Sequence, residues 1–395
     1  MLKGRTILLG VSGSIAAYKT ASLASALKKL GADVHVLMTQ NATNFIHPIT
    51  FESLTGNRCL VDTFDRNFQF QVEHISIAKR AELVMLAPAS ANVIGKLAHG
   101  IADDMLSTTV MACQCPVFVS PTMNTRMFEN PIVRNNMRIL EEYGYRLIEP
   151  TAGYLACGDT GQGKMPEPEV LLKHILQELA FKKDLQGKRI LITAGPTREA
   201  IDPVRYITNH SSGKMGYALA ARACMRGAEV TLVTGPTSLE PWPFVKAVQV
   251  TTAREMFEAV TAISSHQDVI IKAAAVADYR PAQVSDQKMK KKEDQLFLEL
   301  ERTDDILQYL GDHKKKGQLL CGFAMETENL ISNSRAKLTK KNLDMIAANN
   351  LKVEGAGFQT DTNVLTLITQ NEEVSLEKMS KEDAAGIILD RLLSL

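Results

Sequence analysis

Residues 190–220 read ILITAGPTREAIDPVRYITNHSSGKMGYALA: a β-branched apolar run, a long polar loop, then an alanine-rich stretch. This is a strand–loop–helix unit, in which the amides at the helix start can receive a phosphate. A unit of the same design, TILLGVSGSIAAYKTASLASAL, occupies residues 6–27. Two such openings on one chain predict two nucleotide-type domains and two separate sites.

Length supports this division. A chain of 395 residues is too long for one ordinary core and comfortable for two. Its 45% hydrophobic and 23% charged residues are typical of soluble globular protein. The formal charge of +1 gives no global field for nucleic acid or an anionic membrane, so neither partner is expected. No apolar run reaches membrane-spanning length, and MLKGRTILLGVSG enters a strand and a glycine turn instead of a signal peptide. Cys59, Cys113, Cys115, Cys157, Cys224 and Cys321 are scattered, as in a reduced, cytoplasmic protein without a disulfide framework.

Strand and helix patterns alternate through the first half. Apolar runs at 7–11, 34–38, 83–87 and 117–119 are each followed by Gly, Ser, Asn or Pro, and Leu23, Ala26, Leu27 and Leu30 keep helical spacing before Gly31. Such alternation predicts α/β architecture: a doubly wound, mostly parallel sheet covered on both faces. A helix at 171–179 closes this half, and the polar stretch AFKKDLQGK (180–188) reads as the linker. The pattern then restarts, with strands at 190–193, 230–234, 269–273, 319–323 and 344–347 and helices around 214–226, 253–264 and 328–341. The lysine run at 288–292, leading into an alternating strand at 296–300, reads as a mobile arm.

Ser12-Gly13-Ser14 lies between the first strand and a helix beginning near Ile15, where a phosphate would be received; a plain tight turn fits the same residues. It is not G-x-G-x-x-G, so the dinucleotide fingerprint is absent. A second small-residue loop, residues 87–92 (APASAN), stands at another strand's carboxyl end, the edge where open α/β sheets bind ligands. Asn124, after the 117–119 strand, is placed to hold a carboxylate, or simply to turn the chain. His74 is a candidate base, although a lone histidine is more often structural. Cys157 sits in the glycine-rich stretch 153–163, read as a flap; a thiol of pKa about 8.5 stays protonated at neutral pH and can donate. Cys113-Gln-Cys115 lacks the further ligands a zinc site needs. In the second half, Gly213-Lys214 invites a P-loop reading, which fails because Thr208 and Met215 stand where Gly and Ser/Thr are required. Asp202, Arg205 and Asn209 crowd one loop, and Asp278 follows a strand. The lysines at 288, 290, 291 and 292 suit a triphosphate or a solvated charge run.

Together these motifs resemble a bacterial family of coenzyme A biosynthesis enzymes, phosphopantothenoylcysteine decarboxylase fused to phosphopantothenate–cysteine ligase. In the first half SGSIAAYK (12–19), the pair His74-Ile75, PASANVIGK (88–96), PTMN (121–124) and LACGDTGQGKM (155–165) follow the family's order. In the second, AGPTREAIDPVRYITNHSSGKMG (194–216), KAAAVADYRP (272–281), the lysine loop, GFAMET (322–327) and KKNLDMIAANN (340–350) do the same. Departures are few: Phe128 stands where Trp is frequent, Ser12-Gly13-Ser14 where Thr-Gly-Gly is common, and Thr303-Asp304-Asp305-Ile306 where Asn-Pro-Asp-Ile is usual.

The resemblance implies a flavodoxin-like FMN domain at 1–182 and a nucleotide-binding ligase domain at 188–395. It implies FMN held by Gly13, Ser14, Thr39 and Ser90, with His74, Asn124 and Cys157 acting in decarboxylation. CTP and Mg²⁺ would serve the ligase, the nucleotide held by Asp278, Lys288, Asp304, Ile306, Phe323, Lys337 and Lys341, with Asn209 at the acyl-cytidylate. The metal ligands stay unassigned. The substrates would be 4'-phosphopantothenate, L-cysteine and CTP, and the assembly a homo-oligomer, trimer-based in the decarboxylase and dimeric in the ligase, up to a dodecamer. Two rival readings are a nicotinamide-dependent oxidoreductase, opposed by the missing fingerprint, and a regulatory flavoprotein without turnover, opposed by the complete His74, Asn124 and Cys157 set.

Overall fold

The computed structural model describes residues 1–63, 73–156, 158–290, 297–326, 329–350 and 360–395. It divides into two compact units, Met1–Phe181 and Lys182–Leu395. In the first, the apolar runs form a six-stranded parallel sheet in the order Cys59–Leu60, Asp33–Met38, Thr6–Val11, Leu83–Ala89, Val117–Pro121, Arg146–Leu147. The chain winds outward from Thr6–Val11 to one edge, then returns past it to build the other. Strand order therefore reverses between Thr6–Val11 and Leu83–Ala89, leaving a crevice at their carboxyl ends. Leu83–Ala89 is buried along its whole length, which is why it reads as an unbroken apolar run. Leu8, Leu86 and Val119 face a core shared with helices Ala91–Ala98, Met105–Ala112 and Pro131–Glu142.

The second unit repeats the winding in an eight-stranded sheet: Lys246–Gln249, Glu229–Thr234, Arg189–Ala194, Val269–Lys272, Leu319–Glu326, Met345–Asn350, Leu365–Ile368, Glu373–Ser375. The first six are parallel and the last two antiparallel. The reversal falls between Arg189–Ala194 and Val269–Lys272. Alternation sends Ile192 and Ile271 into the layer covered by helices Lys214–Met225 and Lys381–Leu393, and Ile270 into the opposite layer with helices Ala253–Ser264, Ile306–Asp312 and Leu330–Lys340. Each such buried isoleucine contributes roughly 1.5–3 kcal/mol. Both units are thus doubly wound α/β folds. No helix among the described residues is long and apolar enough to cross a membrane.

Several local expectations change. The loop expected at 87–92 is strand through Ala89, after which Ser90 occupies the N-cap of helix Ala91–Ala98. The first long helix begins at Ala17, two residues beyond Ile15. The glycine-rich stretch expected as a flap is an antiparallel hairpin, Thr151–Tyr154 with Thr160–Lys164; glycine hid its strand pattern. The strand after the lysine arm is Leu300–Arg302, paired with Tyr279–Pro281; residues 291–296 lie outside the described residues. The stretch expected as a linker is partly taken into the second unit: Leu185 is buried in its core and Lys183 Nζ donates to Met225 O at 2.6 Å.

Gly216 shows how closely the phosphate-type helix lies on its strand. A Cβ there would stand 2.6 Å from Ala194 Cβ and 3.0 Å from Thr193 O. Gly216→Ala should therefore destabilise the second unit by roughly 1–3 kcal/mol, read as a lower urea midpoint. An unchanged midpoint would mean that the helix moves away freely.

Candidate active sites

At the crevice of the first unit one hydroxyl joins the two small-residue segments. Ser12 Oγ donates to Pro88 O at 2.7 Å and accepts from Ser90 N at 2.8 Å. This clamp brings Gly13, Ser14 and Ser90 to one edge. Helix Ala17–Lys29 starts there with no side-chain cap and no acidic residue in its first turn, so its dipole faces this edge uncompensated, while Ala17 N and Lys19 N donate to Ser14 O and Ala16 O at 3.1 and 3.0 Å. Ser14 Oγ accepts from Ala16 N at 3.3 Å, and Thr39 Oγ1 caps the short helix Gln40–Asn44 through Ala42 N at 3.3 Å. Lys19, inside the SGSIAAYK motif, is buried and structural: its Nζ donates to Met165 O and Glu167 Oε1 at 3.0 and 2.8 Å. Small residues at an uncapped helix start fit the phosphate of a flavin mononucleotide.

Asn124 lies where the Val117–Pro121 strand turns into helix Thr125–Glu129. Its Oδ1 accepts from Arg126 N at 2.8 Å, fixing the amide plane, and its Nδ2 donates to Asp159 Oδ2 at 3.0 Å. The amide donor thus points at a carboxylate on the glycine hairpin. Gly163 makes this approach possible, since a Cβ at its φ of +126° would lie 2.2 Å from Met123 O. Met123 N in turn donates to Gly163 O at 3.1 Å. Cys157 lies outside the described residues. His74 stands half-buried in the first turn of helix Glu73–Arg80 and makes no hydrogen bond to Ser12, Ser90 or Asn124.

The second unit holds two cavities that meet at Asp278. One, of about 350 Å³, is lined by Asn209, the loop 211–216, Ala273 to Ala275, Phe323, Asn349 and Lys381. The other, of about 400 Å³, is lined by Lys272, Asp304, Asp305, Ile306, Lys337 and Lys341 among others. Gly213 caps helix Lys214–Met225 without a side-chain acceptor and donates its own amide to Ser211 Oγ at 3.3 Å, so the dipole of this helix start faces the cavity. Asn209 Nδ2 donates to Ala275 O at 3.0 Å, which orients its carboxamide. Ile306 buries its side chain in the core, leaving its backbone to the cavity. Burial opposes charge on Asp305, but hydrogen bonds from Lys341 Nζ at 2.6 Å and Gln308 N at 3.0 Å outweigh it and hold the carboxyl below its ordinary range.

Asn209 and Phe323 line the first of these cavities, Asp304, Ile306, Lys337 and Lys341 the second, and Asp278 both. Lys288, expected with them, is exposed and lines neither cavity. Asp202 and Arg205, expected to carry chemistry, are consumed in holding this arm. Buried Asp202 Oδ2 accepts from Arg205 Nη2 at 2.6 Å and from Met289 N at 3.1 Å, while Arg205 Nη2 reaches Met289 O at 3.1 Å. The Arg205 guanidinium holds the Asp202 carboxyl well below the usual carboxylate range. Sequence reasoning missed Lys272, which ends an apolar strand, and Asn349, whose buried Oδ1 has no hydrogen-bond partner among the described residues. The polar pair ending the 345–350 strand was the signal for Asn349. No cluster of three or more His, Cys, Asp or Glu that could hold a metal occurs among the described residues.

Comparison with known proteins agrees with this division. Residues 1–180 match the Flavoprotein family, and residues 185–395 match the DNA/pantothenate metabolism flavoprotein C-terminal domain. The fold and sites thus define a flavoprotein unit joined to a pantothenate-metabolism unit. The coenzyme A biosynthesis bifunctional protein of Bacillus subtilis is 48% identical over 401 residues, covering 100% of this chain and 98% of its own. That of Vibrio parahaemolyticus is 45% identical over 396 residues, covering 100% and 99%. The crystal structure of the C-terminal domain of a coenzyme A biosynthesis bifunctional protein is 48% identical with a TM-score of 0.45, covering 52% of this chain and 94% of that one. The chain belongs to the family of bifunctional coenzyme A biosynthesis proteins.

If Asp202 is what tethers the arm, Asp202→Asn should release residues 285–290. Trypsin should then cut after Lys288 or Lys290 roughly tenfold faster than in the unsubstituted protein, since the substitution removes charge-assisted bonds. Equal cleavage rates would place the tether elsewhere.

Proposed function

We propose that the Lys182–Leu395 unit joins 4'-phosphopantothenate to L-cysteine using CTP and Mg²⁺, and that the Met1–Phe181 unit decarboxylates the product to 4'-phosphopantetheine using FMN. The observation that carries the ligase reading is the pair of cavities meeting at Asp278, one lined by an oriented amide and small residues, the other by lysines. A carboxylate is inert to amines, so the acyl group must first be joined to the nucleotide with loss of pyrophosphate. The lysine-lined cavity suits the polyphosphate and the neighbouring one the acyl chain. Mg²⁺ would be held largely by the phosphates, in keeping with its preference for few protein carboxylates. With one N–H on Ala275 O, the second N–H of the Asn209 amide is left for the oxygen that gains charge as the acyl-cytidylate breaks down.

For the first unit the reading rests on the Asn124 donor. A substrate carboxylate would replace Asp159 as its acceptor, holding the group to be lost at the crevice. FMN, when bound, would supply two-electron redox chemistry, oxidation of the substrate thiol to a thioaldehyde that serves as the electron sink for loss of carbon dioxide, and later reduction of the resulting enethiol. His74 would take the thiol proton. Cys157 would protonate the enethiolate. This unit would assemble on a trimer and the ligase on a dimer.

Asn209 tests the ligase directly. Asn209→Asp should keep releasing pyrophosphate, accumulate 4'-phosphopantothenoyl-CMP and lower the overall rate by about two to three orders of magnitude. Loss of pyrophosphate release would assign Asn209 to activation or folding instead.

A further inference from the structure

Lys272 ends the central strand Val269–Lys272, in register with Thr193 on one side and Gly322 on the other. Strand alternation puts its side chain on the Ile270 face, which packs against helices Ile306–Asp312 and Leu330–Lys340. Gly322 adds no side chain to that face. Lys272 thus joins Lys337 and Lys341 around the cavity of about 400 Å³. Two of these ammonium groups have acceptors: Lys341 Nζ donates to Asp305 Oδ2 at 2.6 Å and Lys337 Nζ to Phe323 O at 3.5 Å. Lys272 forms no hydrogen bond or ion pair with any described residue. Asp278, Asp304 and Asp305 line the same cavity and offset part of this charge, yet Lys272, Lys337, Lys341 and Arg302 outnumber them, so the cavity favours an anion.

We propose that Lys272 is a ligand of the nucleotide's polyphosphate, acting with Lys337 and Lys341. The inference rests on reading this cavity as the nucleotide site. It adds a chemical consequence. Burial, then the charges of Lys337 and Lys341, pull the Lys272 ammonium down to about 8, with Asp305 and Asp278 acting the other way. Asp304 and Arg302 complete the charged wall. A polyphosphate favours the charged form, so the bound protein holds the proton to higher pH than the free protein. The sign follows: affinity is fully present below about pH 8. It falls by up to roughly tenfold per unit as pH rises further, until the bound-state value is reached.

Titration calorimetry of the full-length protein with CTP and Mg²⁺ at about pH 9, in two buffers of different ionisation enthalpy, reads this proton directly. The unsubstituted protein should take up on the order of one proton per nucleotide. Lys272→Met should take up none and bind roughly 10–100-fold more weakly below pH 8. Lys272→Arg, always charged, should keep the affinity to within a few-fold while losing its pH dependence, which also guards against a folding defect in the Met variant. Binding by the unsubstituted protein without proton uptake would overturn the proposal, as would uptake that survives in Lys272→Met. If CTP fails to bind but inorganic triphosphate binds with Lys272-dependent uptake, the CTP assignment falls and the Lys272 ligand stands. Failure of both probes removes both.

Discussion

Parallel strands joined by right-handed crossovers leave every strand-to-helix loop on one edge, and the reversal of strand order opens a crevice there. Both units are built on this constraint. Thr6–Val11 and Arg189–Ala194 are the opening strands, and each has the strand of the reversal beside it. In the first unit the neighbour ends at Ala89 and in the second at Lys272, so clamp, small-residue loop and helix start arrive together. The sheet supplies no chemistry of its own. It fixes where chemistry can stand, and its buried strands provide the stability that lets polar groups sit unpaired at the edge.

What distinguishes the two crevices is their polar inventory. The first gathers the hydroxyls of Ser12, Ser14 and Thr39 and the Asn124 amide paired with the Asp159 carboxylate. The second gathers lysines against Asp278, Asp304 and Asp305, a setting that suits polyphosphate. In each, one buried polar group organises the rest. Ser12 Oγ ties two loops across the first switch point, and Asp202 ties the arm around Met289 to its own loop. Their work is positional: Ser12 fixes two loops against each other and Asp202 fixes the arm to its own loop.

Much of this architecture was legible in the chain. Buried parallel strands such as Leu83–Ala89 betray themselves as apolar runs, and the restart at residue 190 is a second opening strand. The hairpin Thr151–Tyr154 and Thr160–Lys164 was not legible, because Gly161 and Gly163, which let it approach Thr125 and Met123, carry no alternation. Asp202 and Arg205 looked chemical because charge crowded in a loop looks the same whether it binds a ligand or braces the chain; only their mutual bonds tell the two apart. Lys272 escaped notice because its neighbours in sequence are apolar, while the lysines it joins come from residues 337 and 341, brought near by the sheet. Lys288 was singled out by the family resemblance as well as by its place in a charge run, and the structure leaves it exposed.

The central claim is that one chain carries two complete and sequential chemistries. The direct measurement supplies the flavin-replete full-length protein with 4'-phosphopantothenate, carboxyl-labelled L-cysteine, CTP and Mg²⁺, and counts pyrophosphate, labelled carbon dioxide and 4'-phosphopantetheine in one time course. The account predicts equal amounts of all three at completion. Pyrophosphate released with 4'-phosphopantothenoylcysteine accumulating and no labelled carbon dioxide would contradict it.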